Sequence, residues 1–197
     1  MEYGSFLHRA KVGDKIRNCL REVGKHMGVL RAILKTIDFI STWFGKWIAW
    51  IVIPNVLALV YEFVARYLLG RPTIWSYEIT YFLYGSHFLL GAAYTLHLKS
   101  HIRIDIFYQH IRPRGQAVID TIGYLVFFFP VMLILIYAGT EFVIQSFEMG
   151  EKSGLSPWRP ILYPFKAVIV FAIFLLFLQG VAEFIRSAFL GIRGKAL

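Results

Sequence analysis

His97-Leu98-Lys99-Ser100-His101-Ile102-Arg103-Ile104-Asp105 is the most charged interruption in a chain otherwise built of long apolar runs. The runs on either side are long enough to cross a bilayer, so the stretch reads as a membrane-surface connection between two helices. Two histidines, a lysine, an arginine and an aspartate in nine residues make it the first place to look for chemistry. His97, His101 and Asp105 fall at i, i+4 and i+8, one helical face, a spacing that zinc can use. Lys99 and Arg103 put positive charge beside them and no cysteine joins the set, so no metal is assigned.

The composition agrees with a membrane chain. Hydrophobic residues make up 57% and charged residues 17% of 197, against about 25% charged in soluble domains. The excess lies in blocks, which marks spans rather than one large core. The single cysteine, Cys19, rules out a disulfide within the chain and a multi-cysteine metal site. The net charge of +9 is concentrated: nine of the 21 lysines and arginines precede the first span, which begins about residue 47. A basic block beside a membrane segment sets topology and meets anionic lipid, so lipid at this tail, and not nucleic acid, is its expected partner.

Residues 1–36 form that basic segment. Val12, Ile16, Leu20, Val23, Met27, Leu30 and Leu34 recur in steps of three or four, the period of an amphipathic helix lying on the cytoplasmic surface. The first apolar run begins near Ile37 behind a tail too long for the start of a signal peptide, so none is expected. Residues 37–190 read as an all-α domain of four transmembrane helices over about 47–69, 76–98, 116–146 and 160–185, with 191–197 a short tail.

In the first span, Trp43, Trp47 and Trp50 cluster as interfacial aromatics do. Pro54 removes a backbone donor and predicts a kink; Asn55 should bond to a neighbouring helix. Glu62 and Arg66 stand at i, i+4, placed to pair. After Gly70 and Pro72 end that helix, Ser76 is positioned to cap the next, with Glu78 in its first turn. His87 sits mid-span, and Gly91 with Thr95 offers a small-residue face for close helix approach. Sixteen lysines and arginines fall on the side of the N-terminus and five on the other, which predicts cytoplasmic N- and C-termini.

No nucleophile elbow, zinc-protease motif, acidic metal cluster or phosphate-binding glycine loop occurs, so no enzyme and no cofactor is expected. Haem needs two histidines at similar depth, and only His87 lies mid-span. A runner-up reading is a membrane redox or proton-handling subunit using His87 with His97 or His101.

Several motifs in order then resemble one family. Arg66-Tyr67, Pro72-x-x-Trp75-x-x-Glu78, Gly91-Ala92-Ala93 and His101-Ile102-Arg103-Ile104-Asp105 look like the small membrane subunit, DctQ, of tripartite ATP-independent periplasmic (TRAP) transporters. Phe107-Tyr108, Pro113-Arg114-Gly115, Asp120 and Leu178-Gln179-Gly180 resemble the mannitol/chloroaromatic compound subgroup. The resemblance implies a non-catalytic scaffold subunit in a bacterial inner membrane. Its partners would be a large DctM-like permease, which carries the substrate and sodium sites, and a periplasmic binding protein that delivers an organic acid. Candidate structural or partner-interface residues are then His101, Arg103, Asp105, Trp75, Glu78, Glu62, Arg66, Asn55 and His87.

Overall fold

The structure, a computed structural model, describes residues 27–98 and 111–193. The chain divides into two units, Met1–Ile37 and Asp38–Leu197. In the first, residues 27–37 are helical and Thr36 Oγ1 donates to the Ala32 carbonyl at 3.0 Å. The amphipathic helix expected from Val12 onward lies largely outside the described residues.

The second unit is a helical bundle. Residues 38–49 form α1, Val52–Phe63 α2, Ser76–His97 α3, Pro113–Gly123 α4, Phe129–Glu148 α5 and Tyr163–Arg193 α6. Five-residue π-helical stretches, Val64–Leu68 and Tyr124–Phe128, extend α2 and join α4 to α5. Apart from helix, the described residues contain one isolated antiparallel β-bridge, Lys152 with Ile161.

Proline accounts for two departures from regular helix inside the long apolar stretches, the break at Trp50–Ile51 and the Tyr124–Phe128 turn. Pro54 cannot donate to the Trp50 carbonyl, and the chain tightens just before it. The amides of Trp50, Ile51 and Ile53 donate three residues back, to Trp47, Ile48 and Trp50, at 3.0–3.1 Å. The break at Trp50–Ile51 is the kink the sequence predicts. Pro130 likewise lacks a donor, and the wide π-helical turn ends directly before it, where the Phe129 amide reaches the Tyr124 carbonyl.

Glycines end two helices. Gly70 (φ 63°) and Gly150 (φ 56°) adopt the left-handed conformation, and the amides that follow, Arg71 and Glu151, close onto the carbonyls of Ala65 and Ser146 at 2.9 and 3.0 Å. The start of α3 differs from expectation. Ser76 is its first helical residue, with Trp75 at the cap position, and the Ser76 hydroxyl donates across to the Ala58 carbonyl at 3.0 Å. The hydroxyl is thus spent joining α2 to α3 rather than capping.

α6 is the centre of the bundle: it packs against α3, α4 and α5, while α2 packs on α3. Small residues make this approach possible. Ala93, Ala172 and Ala182 are essentially fully buried. A Cβ built on Gly180 would stand 2.1 Å from Phe128 Cε1, and one on Gly45 2.4 Å from Tyr94 Cγ. Gly91, the expected close-approach position, has nothing within 4 Å of such a Cβ, and Thr95 instead donates back to its carbonyl at 3.0 Å.

Three helical stretches are long and apolar enough to cross a membrane: Met27–Leu68, Arg114–Glu148 and Tyr163–Ile192. α3 is not among them. Its 22 residues reach about 33 Å, but Ser76, Glu78, Thr80, Ser86, His87 and four tyrosines dilute its hydropathy. A helix packed against α2 on one side and α6 on another turns less of its surface to lipid and needs less apolar surface.

The glycine contacts give a direct test. Replacing Gly180 with Leu forces a side chain into the Phe128 ring and should cost about 1–3 kcal/mol. Gly91→Ala should be tolerated within about 1 kcal/mol. Unfolding in detergent, followed by circular dichroism, separates the two.

Candidate functional site

The polar side chains that meet in this bundle come from three helices. α1 supplies Asp38 and Ser41, α3 ends in His97, and one face of α6 carries Gln179, Glu183 and Arg186 at i, i+4 and i+7. That spacing holds the last three on one side of an otherwise apolar helix.

Gln179 is the hub and is completely buried. Its Oε1 accepts from Ser41 Oγ at 2.7 Å, and its Nε2 donates to Asp38 Oδ1 at 3.2 Å. The Nδ1 of His97 lies 3.1 Å from the same Asp38 oxygen and 3.4 Å from Gln179 Nε2. Arg186 forks between two carboxylates. One guanidinium nitrogen donates to Asp38 Oδ2, the other to Glu183 Oε1 at 2.5 Å. Glu183, only 4% exposed, is therefore neutralised where it is buried. Every strong polar group in this cluster is answered by another of its members, which makes it a brace between helices.

At the other end of α6, the Lys166 ammonium bonds Glu151 and lies 3.5 Å above the Phe142 ring. This ties the 149–162 connection to α6 and α5. The ammonium beside it holds the Glu151 carboxyl below the ordinary carboxylate range. In α2, Arg66 Nε donates to Glu62 Oε1 at 2.9 Å, while the second Glu62 oxygen accepts from the amide (3.1 Å) and hydroxyl of Thr73.

The residues singled out from sequence are dispersed. Glu62 and Arg66 pair as their spacing predicts. Trp75 stacks on Tyr61, centroids 5.6 Å apart and planes 23° from parallel. His87 Nδ1 lies 3.0 Å from the Ile48 carbonyl and ties α3 to α1. Asn55 departs from expectation: its buried Oδ1 has no partner among the described residues. Glu78 is fully buried with both carboxylate oxygens unpartnered among the described residues. His101, Arg103 and Asp105 lie outside the described residues. His87 and His97 are ten positions apart on one helix, about 15 Å along its axis, so the structure does not bring them together.

The brace itself was missed in the sequence, although a signal was there. Gln179, Glu183 and Arg186 share a stripe in an apolar helix, and a polar stripe there needs partners. Asp38 gave no comparable signal, because it stands at the start of the first apolar run, 141 positions from Gln179.

A helical membrane bundle with a polar cluster that joins three of its own helices is the class of protein this geometry defines. Residues 55–190, well over half of the chain, match the family described as tripartite ATP-independent periplasmic transporters, DctQ component. The chain belongs to that family: it is the small subunit of a TRAP transporter and a transporter component rather than an enzyme. Membership implies association with a DctM subunit and a binding protein. No curated protein and no solved structure matches it.

Two outcomes are expected. Gln179→Leu strands the partners of a buried amide and should destabilise the bundle by about 2–4 kcal/mol. In a double-mutant cycle with Ser41→Ala the two losses should fall short of additive, read as unfolding midpoints in detergent. The Lys166–Glu151 pair predicts an acid response. A depressed carboxyl stabilises the fold above its ordinary titration range and loses that contribution as pH falls through its lowered value. Midpoints measured downward from pH 6 should drop more steeply below about pH 4.5 in the wild type than in Glu151→Gln.

Proposed function

We propose that this chain is the static, non-catalytic scaffold of a sodium-coupled TRAP importer, holding the fixed part of a large permease while that partner moves the substrate. The observation that carries this reading is the brace. Asp38, Ser41, His97, Gln179, Glu183 and Arg186 are committed to one another across three helices. A transport pathway needs polar groups free to take and release a solute or ion. A scaffold needs the opposite, and this is what the paired cluster supplies.

The finer features of the proposal come from sequence and family together. α3 joins the three more apolar stretches as a fourth span, and its length suits the hydrocarbon core. The excess of lysine and arginine on the side of the N-terminus places both termini in the cytoplasm of a bacterial inner membrane. The solute is an organic acid, of the carboxylate or 2-oxo acid class, delivered by the binding protein. The resemblance to the mannitol/chloroaromatic compound subgroup rests on the motifs between Phe107 and Gly180. The basic segment lies against anionic lipid, and Asp105 serves assembly.

Proteoliposomes test this. Uptake driven by a sodium gradient should require the large permease and the binding protein together with this chain. Accumulation of a solute by this chain alone would overturn the scaffold reading. Asp105→Ala should lower the yield of the purified complex before it alters solute affinity; full assembly with changed selectivity would contradict its role.

A further inference from the structure

α1 has two unlike faces. Ser41, Gly45 and Ile48 lie on the inner one and are buried. On the opposite side Trp43, Lys46, Trp47 and Trp50 recur at i, i+3, i+4 and i+7, a single helical face. All four are exposed, the tryptophans by 48%, 61% and 67%. Among the described residues Lys46 has no ion pair or hydrogen bond, and the three indole N–H groups have no acceptor.

Run length alone puts Trp43 and Trp47 at the membrane surface, but packing sets them deeper. Ser41 bonds Gln179, Phe44 meets Phe171 with ring centroids 5.5 Å apart, and the Ile48 carbonyl lies 3.0 Å from the His87 ring in the middle of α3. The part of α6 matched in this way, Ala167 to Ala182, contains no charged residue. Neither does α5 from Val131 to Thr140, where Gly139 backs onto Val170. Lys46 stands two residues from Ile48, about 3 Å, and eight from Asp38, about 12 Å along the axis. A lysine stem spans about 6 Å, so the ammonium does not reach the polar end of the bundle along its own helix. Its charge is level with uncharged, lipid-depth stretches of two other helices, where a bare ammonium is strongly unfavourable.

Charge sorts the kinds of occupant a membrane offers. Acyl chains supply neither an anion for Lys46 nor acceptors for three indoles. A second copy docked two-fold on the same face brings Lys46 against Lys46, like charges in a low dielectric. The carboxylates of this chain nearest along α1 and α6, Asp38 and Glu183, both already answer Arg186. A membrane helix of another protein, with a carboxylate level with Lys46 and oxygens for the indoles, meets each requirement. Tryptophan is also a residue type that anchors buried interfaces. Family membership implies such a protein, the DctM subunit.

We propose that the Trp43–Lys46–Trp47–Trp50 face of α1 is the contact surface for a transmembrane helix of the large permease subunit, which sets an aspartate or glutamate against Lys46. This rests on the reading of the chain as the permease's scaffold partner, and adds which face is used and what chemistry recognises it. α1 is then held on both sides. Asp38 and Ser41 tie its inner face to the brace, and the tryptophans and Lys46 tie its outer face to the permease.

The test co-expresses the full chain with its tagged permease subunit and measures how much of the chain is recovered with the tag in detergent. Lys46→Glu should lower recovery about tenfold or more, the weight of a desolvated charge pair, and Lys46→Arg should keep most of it. Because Lys46 is exposed in the chain alone, Lys46→Glu should leave the unfolding midpoint of the isolated chain unchanged. A second measurement does not depend on how that variant folds. Benzoylphenylalanine placed at Trp47 of the otherwise wild-type chain should photo-cross-link to a permease helix, within one turn of an aspartate or glutamate. Full recovery of Lys46→Glu would overturn the proposal. So would cross-links from position 47 only to lipid or to a second copy of this chain, or to a permease segment without a carboxylate. A wild-type chain that recovers no permease would overturn the scaffold reading along with it, whereas a wild-type complex indifferent to Lys46 would overturn this inference alone.

Discussion

Gln179 is the constraint on which the rest of the bundle depends. Its amide is completely buried in α6 and has two sides to satisfy, and the bundle satisfies them with Ser41 and Asp38 of α1. In a setting of low dielectric an unpaired amide costs far more than its bonds return in water. The helices are therefore held not only by apolar contact but by the penalty for separating them. Arg186 extends the same logic by answering two carboxylates at once, Asp38 and Glu183, so that neither is buried alone.

A membrane helix pair gains little from hydrophobicity, because lipid tails are as apolar as leucine. Close packing and polar contacts must do the joining, and the two are divided here along α6. Gly139 and Gly180, with the buried alanines, bring α5 and the preceding π-helical turn close. The brace around Gln179 brings α1 and the end of α3. Lys166 holds the connection at the opposite end through Glu151 and the Phe142 ring. The bundle is thus fastened at both ends of one long helix.

The prolines show how local chemistry shapes the surface that such a subunit offers. Pro54 and Pro130 each delete one donor, and the chain adjusts with a tighter turn in one case and a wider one in the other. The first adjustment breaks the helix at Trp50–Ile51. The second sets Phe128 and Phe129 against α6, where Phe128 meets Gly180 and Phe129 meets Phe177 and Phe184. Kinks here distribute side chains rather than loosen the helices.

The sequence by itself determined the elements and several local contacts. Apolar run length and glycine at the turns gave the helices, proline gave the kink, and i, i+4 spacing gave the Glu62–Arg66 pair, because all of these depend on near neighbours in the chain. It also gave the family, through motifs that do not require knowing where the helices meet. What only the tertiary structure decided is which polar groups come together. Asp38 and Arg186 are 148 positions apart, and no periodicity links them. Ser76 looked like a cap and is a tie between helices; Gly91 looked like a contact and is open. Asn55 was expected to bond to a neighbour and finds none among the described residues. In each case the residue type fixes what a side chain needs, and the packing of helices distant in sequence determines what it receives.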